Sequence, residues 1–313
     1  MMLARVADSL YWIGRYVERA EHHSRLADVL LTATLDQNDT AVTVARRAAS
    51  MDEAGTLAAP DTPFSAAHGL LLDRVHQASV IASLSRAREN ARQVRDQITS
   101  ETWERLNLLY LRVTAPGTAR AFERGRGAFL HGIISDIHLF KGAVDATMSH
   151  GQGWRFLMLG IYLERAQLIA RLLNVCFGDP VGEPPLDDPM TQMSILRMAC
   201  ALEPYLRVYT AEIESRHLLE FLLFDEEFPR SIRFSTQRIL DHLTCLAGPA
   251  TTADRSRPQR LAARLSGRLE FADMEETLRP GALLSLVARE CASIHEAIHE
   301  TFVRYPLEQR LAV

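Results

Sequence analysis

The seven residues Gly14-Arg15-Tyr16-Val17-Glu18-Arg19-Ala20 recur 146 positions later as Gly160-Ile161-Tyr162-Leu163-Glu164-Arg165-Ala166. From Gly14 to Val29, eight of sixteen positions are identical in the two copies, and several others are mild exchanges such as Glu21 to Gln167 and Asp28 to Asn174. Internal self-similarity on this scale speaks to architecture before it speaks to chemistry. It predicts two related helical halves.

A second recurrence keeps the same order. Leu70-Leu71-Leu72-Asp73 followed by Ser79, Val80 and Ser83 matches Leu222-Leu223-Phe224-Asp225 followed by Ser231, Ile232 and Ser235. Apolar residues at three-four spacing (Leu3, Val6, Leu10, Ile13, Val17, Ala20) predict one long helix over 3–35. Further helical patterns cover 42–51, 70–75, 79–98, 103–113, 122–148, 154–177, 190–201, 205–224, 231–246, 261–271 and 283–305. Loops are predicted around Pro60 and Pro63, at 178–185 and over 247–258. No alternating β-branched run of strand length appears. The predicted class is all-α, with pseudo-symmetric halves at 1–150 and 151–313 packed around a shared core.

Composition narrows the function classes. A formal net charge of -4 lacks the basic field that phosphate-backbone binding requires, so nucleic acid is not an expected partner. Arginine greatly outnumbers lysine, which suits buried carboxylate pairing. Cys176, Cys200, Cys245 and Cys291 are too far apart for a disulfide framework or a zinc ribbon and predict reduced thiols. Charges interrupt the apolar N-terminus, and no run approaches the ~20 apolar residues of a membrane span. A cytoplasmic protein without membrane contact is expected.

The candidate cluster comprises Tyr16, Glu18, Arg19, Glu21 and Arg25 on the first copy and Tyr162, Glu164, Arg165 and Arg171 on the second, with Arg88, Glu89, Asn90, Arg92 and Arg95 between them. On a helix Gly14, Glu18, Glu21 and Arg25 fall on one stripe, as do Gly160, Glu164, Gln167 and Arg171. Two roles fit. Glu18 and Glu164 could anchor buried ion pairs, with Arg92 or Arg95 as partners. Alternatively the stripes face a cleft, where the glutamates act as acid and base and Arg25, Arg92 and Arg171 grip an anion. Trp12, Tyr16, Trp154 and Tyr162 beside the stripes read as core aromatics.

His295-Glu296-Ala297-Ile298-His299 fits H-E-x-x-H, in which two histidines one turn apart bind zinc and the glutamate is the general base. The context opposes that reading: fourteen residues follow His299, none of them a histidine at metzincin spacing, and the nearby downstream carboxylates are Glu300 and Glu308. A solvated helix face is expected there instead, with no metal. Phosphate loops, dinucleotide fingerprints and nucleophile elbows are absent from the sequence, and the Glu-x-x-His pairs of di-iron bundles are absent around Glu18 and Glu164.

The stretch Ala7-Asp8-Ser9-Leu10-Tyr11-Trp12-Ile13-Gly14-Arg15-Tyr16-Val17-Glu18-Arg19-Ala20-Glu21 resembles the opening signature of the bacterial alpha-E domain family. The resemblance continues through Ala87–Ile98, Glu101, Trp103, Leu106-Asn107, Gly153-Trp154-Arg155-Phe156 and Phe228-Pro229-Arg230-Ser231-Ile232. It covers essentially the whole chain. It implies an α-helical protein encoded or fused beside a circularly permuted ATP-grasp protein, often with a transglutaminase-like protein and sometimes a proteasome-related peptidase. A role in making, modifying or breaking down peptides follows, with no cofactor in this chain and with ATP and Mg on the ATP-grasp partner. The sequence departs from the family pattern at Ile161, where arginine is common, and at His76-Gln77-Ala78, where a proline is common before the serine. The resemblance assigns no catalytic residue. The expected function is a non-catalytic accessory or binding protein, and the alternative is an enzyme on amide or amino-acid substrates using Glu18 and Glu164.

Overall fold

The computed structural model describes residues 2–50, 62–178, 188–209, 213–247, 256–272 and 280–304, and these form fourteen α-helices with no strand. The first half holds α1 (Ala4–Leu35), α2 (Asp39–Ser50), α3 (Pro63–Leu72), α4 (Val80–Gln93), α5 (Ser100–Thr114), α6 (Thr118–Arg124) and α7 (Arg126–Thr147). The second holds α8 (Gln152–Phe177), α9 (Pro189–Met198), α10 (Leu202–Tyr209), α11 (Ser215–Phe224), α12 (Ile232–Ala247), α13 (Arg257–Glu270) and α14 (Gly281–Ile298). None of the described helices is long and apolar enough to cross a membrane.

The long helix predicted at the start is α1. Its periodic apolar residues carry it to Leu35, and Gln37 then turns into the left-handed region (φ 55°). That turn lets Asn38 N donate to Ala33 O (2.9 Å), which satisfies one of the last carbonyls of the helix. Helix α1 lies centrally: it packs on α8, α4, α3, α2 and α7, while α8 in turn carries α12 and α14. The two helices holding the repeated blocks therefore form each other's core. At their crossing a Cβ on Gly14 would sit 2.1 Å from Leu157 O, and one on Gly160 would sit 2.0 Å from Tyr11 O. Only a residue without a side chain allows backbones this close.

The second recurrence builds two turns of the same chemistry. Asp73 Oδ1 accepts from the N–H groups of Val75 (2.8 Å) and His76 (3.3 Å). Asp225 Oδ1 accepts from Glu227 (2.9 Å) and Phe228 (2.6 Å). In each turn the following serine, Ser79 or Ser231, donates its hydroxyl to the aspartate's carbonyl and accepts from a backbone N–H to open the next helix, α4 or α12.

Several boundaries differ from those the sequence suggests. Pro63, expected in a loop, is the first residue of α3: its missing N–H costs nothing at that position, and Thr62 with Ser65 forms a capping box. The pattern over 122–148 divides at Gly125 into α6 and α7. The pattern over 205–224 divides into α10 and α11, with residues 210–212 outside the described residues. The pattern over 79–98 ends as α4 at Gln93, followed by one 3₁₀ turn. At the far end α14 passes into a π-helical turn, His299–Val303. Pro60, Met51, Tyr305, Glu308, residues 179–185 of the expected linker and 248–255 of the expected loop lie outside the described residues.

Candidate functional site

The α1–α8 crossing buries an ionic network on its polar flank. Glu164, on α8, accepts from two arginines of α1: Arg15 Nε on Oε2 and Arg19 Nε on Oε1 (2.6 Å). Arg15 is 2 % exposed, and its Nη2 also donates to Gln167 Oε1 (2.6 Å). The reciprocal glutamate, Glu18 on α1, accepts from Arg165 of α8 through Nε (2.8 Å) and Nη2 (3.0 Å). Position 161, the counterpart of Arg15, is isoleucine. In its place Arg230, from the turn before α12, brings Nη1 to 3.2 Å from Glu18 Oε1 and donates Nη2 to Glu21 Oε1 (2.5 Å).

Lys141 of α7 completes this side, donating to Glu18 Oε2 and to Glu21 Oε2 (2.5 Å). It is the one lysine of the chain. A compact ammonium with three donors bridges two carboxylates where a planar guanidinium would need more room. Toward the surface, Arg25 donates to Glu21 Oε1 (2.9 Å), and His138 Nε2 lies 3.2 Å from the same oxygen and from Arg25 Nη2.

Burial alone would raise these carboxyls, but the cations outweigh it. Arg165, Lys141 and Arg230 hold Glu18 well below the ordinary carboxylate range. Arg230 and Lys141, with help from His138 and Arg25, do the same for Glu21. Arg15 and Arg19 bring Glu164 down to about 2. All three acids are ionised at neutral pH, and their oxygens are committed to donors.

Next to this network, Tyr11 Oη lies 2.8 Å from His295 Nδ1, and Arg15 Nη1 is 3.3 Å from both. A guanidinium only donates, so Nδ1 is the acceptor nitrogen of that ring. Burial, followed by Arg15 and His299, pushes His295 down to about 3. His295 stacks on Tyr11, and His299 meets Tyr11 edge-on and lies tilted against Trp12. The expectation of a solvated face is therefore corrected for the two histidines, which turn inward onto aromatic rings, while Glu296 alone points outward. Among the described residues no group of three or more possible ligands has metal-binding geometry.

The structure divides the predicted cluster. Glu18, Arg19, Glu21, Arg25, Glu164 and Arg165 come together, with Tyr16 and Tyr162 beneath the guanidiniums of Arg19 and Arg165. Arg92 and Arg95 do not pair with Glu18 or Glu164. Arg92 pairs with Glu89 on the surface (2.7 Å), and Arg95 lies over Trp103, where Arg88 also stacks. They sit on the outer face of α4 and the turn after it, because the inner face of α4 carries Leu84, Ala87 and Ala91 into the core. Asn90 is half-buried on α4, and Arg171 lies within electrostatic reach of the buried Cys291 thiol. The network also includes Arg15, Lys141 and Arg230, which the predicted cluster omits. The isolation of one lysine among arginines was a readable signal, whereas the reach of Arg230 across the fold had none.

A family model described as a predicted alpha-helical domain with a conserved ER motif matches residues 2–303. The dipeptides Glu18-Arg19 and Glu164-Arg165 are the Glu-Arg pairs at the α1–α8 crossing. Uncharacterized proteins of Mycobacterium bovis and Mycobacterium tuberculosis are 24% identical to this chain over 95% of its length. The chain spans 36% of the length of each. No solved structure matches.

Proposed function

Because the chain belongs to the Alpha-E family, we propose that it is a non-catalytic helical binding protein, an accessory to an ATP-grasp peptide-ligase-like enzyme and a transglutaminase-like protein in peptide synthesis, modification or turnover. ATP and Mg belong to the ATP-grasp partner, and the setting is the cytoplasm. The observation that carries this reading is the state of Glu18 and Glu164. A general acid or base needs a carboxyl raised toward neutrality and free to exchange a proton. Here both are sealed at 0% and 1% exposure and held ionised by arginine and lysine. Such groups fasten helices together, which supports binding over acid/base catalysis by this pair. The extra length of the mycobacterial relatives gives room for further domains in the same polypeptide, as an accessory fused to its enzyme would require.

The test is affinity capture of the tagged full chain from its own cells, followed by mass spectrometry. The expected result is an ATP-grasp protein recovered in near-stoichiometric amount, with the purified chain alone inert toward ATP and peptides. Turnover by the pure chain, abolished in Glu164→Gln with the fold retained, would overturn the reading in favour of an amide- or amino-acid-directed enzyme.

A further inference from the structure

The Glu18–Glu21 side of the network is not charge-balanced. Two carboxylates face four permanent cations, Arg25, Lys141, Arg165 and Arg230. The next carboxyl along α1, Asp28, is pushed up by its burial and is itself flanked by Arg25, His131 and Arg197. It adds one acid and one arginine and leaves the excess unchanged. An uncompensated charge in a partly desolvated site draws a counter-ion. The donors are also unevenly used. Each oxygen of Glu18 and Glu21 already accepts at least one hydrogen bond, while Lys141 has spent two of three N–H groups and Arg25 retains its Nη1 donors.

The spare donors lie on the solvent side of the network. Arg165 and Arg230 are 10% and 9% exposed through their side chains, Arg25 and Lys141 reach 14% and 18%, and His138 stands at 54%. We propose that Arg25, His138 and Lys141, at the contact of α1 with α7, bind an oxyanion, a carboxylate or phosphate group of a small acidic ligand. Glu21 forms the floor of this site and fixes the three side chains around one point. The inference deepens the binding role proposed above by naming a ligand class, and it is tested independently of any partner protein.

Titration calorimetry on the full chain, at constant ionic strength in chloride, tests it with inorganic phosphate, with N-acetyl-dialanine and with the amide of that dipeptide. At least one of the two oxyanions is expected to bind saturably at one site, and the neutral amide not at all; which one binds identifies the source of the anion. His138→Ala changes an exposed side chain, so the fold is retained, and it is expected to weaken binding roughly tenfold, the loss of about one charge-assisted hydrogen bond. Arg25→Gln should do the same, whereas Arg92→Ala on the outer face of α4 should bind like the parent. Because Lys141 is the only side-chain amine, its acylation by an amine-reactive ester is a second readout, and the bound anion should slow it. No saturable binding of either oxyanion, or unchanged affinity in His138→Ala, would overturn the proposal. Anion binding by a chain that captures no ATP-grasp protein would instead leave this site standing and remove the partner reading.

Discussion

Glu164 and Arg92 both belong to Glu-Arg pairs, yet their surroundings give them opposite weight. Replacing Glu164 with glutamine leaves Arg15 and Arg19 buried beside a neutral group, and breaking such a pair costs roughly 3–5 kcal/mol. Urea unfolding should show that loss as a lower midpoint. Arg92→Ala, which removes a solvated pair with Glu89, should leave the midpoint in place. The same charges set the pH profile. Carboxyls held below their unfolded value of 4.5 contribute stability that is complete above that pH and is lost as pH falls toward their folded values. Histidines act earlier. Burial lowers His22 and His295 to about 3 and His242 to about 4, so the unfolded chain takes up their protons first once pH drops below 6.5. Urea midpoints should therefore be level between about pH 7 and 8, decline from about 6.5 and fall more steeply below about 4.5. A flat profile from pH 7.5 to 4.5 would contradict the histidine assignment.

At the level of helices, glycine has two meanings in this chain. Gly14→Ala or Gly160→Ala would drive a methyl group into a facing carbonyl, so the helices must part, at a cost of about 1–3 kcal/mol or more. Gly127 and Gly142, on α7, have open space within 4 Å of where a methyl carbon would stand. Alanine there should stabilise by about 0.5–1 kcal/mol through helix propensity alone. Thermal melts of the four variants separate the two classes by sign. The sequence was legible where periodicity was long and uninterrupted, as in α1 and α8. It misled where a pattern ran through a break: nothing in the apolar spacing of 205–224 distinguishes one helix from two. The ion network was half legible. The repeated block pointed to Glu18, Arg19, Glu164 and Arg165, because local spacing puts them on one helical face. Their real partners depend on how helices cross, and that geometry gave Glu18 an arginine from position 230 rather than from 92 or 95.

Across the whole molecule, the reciprocal glycine contacts and the crossed ion pairs tie α1 to α8. Neither half is self-sufficient in charge. A fragment of residues 1–150 would keep Arg15 and Arg19 without Glu164, and Glu18 without Arg165 and Arg230. Expressed alone, it should lack the near-ultraviolet circular dichroism of a fixed core, and a sharp cooperative melt would refute that expectation. A different outcome holds when both pieces are present. The bend after α5, at Ala115-Pro116-Gly117, is exposed, so a protease nick there severs the polypeptide while α1 and α8, now on separate pieces, stay interlocked through their glycines and crossed salt bridges. Chain continuity at that bend is then dispensable, and the two cut lengths should migrate as one particle on gel filtration and separate only when denaturant is added.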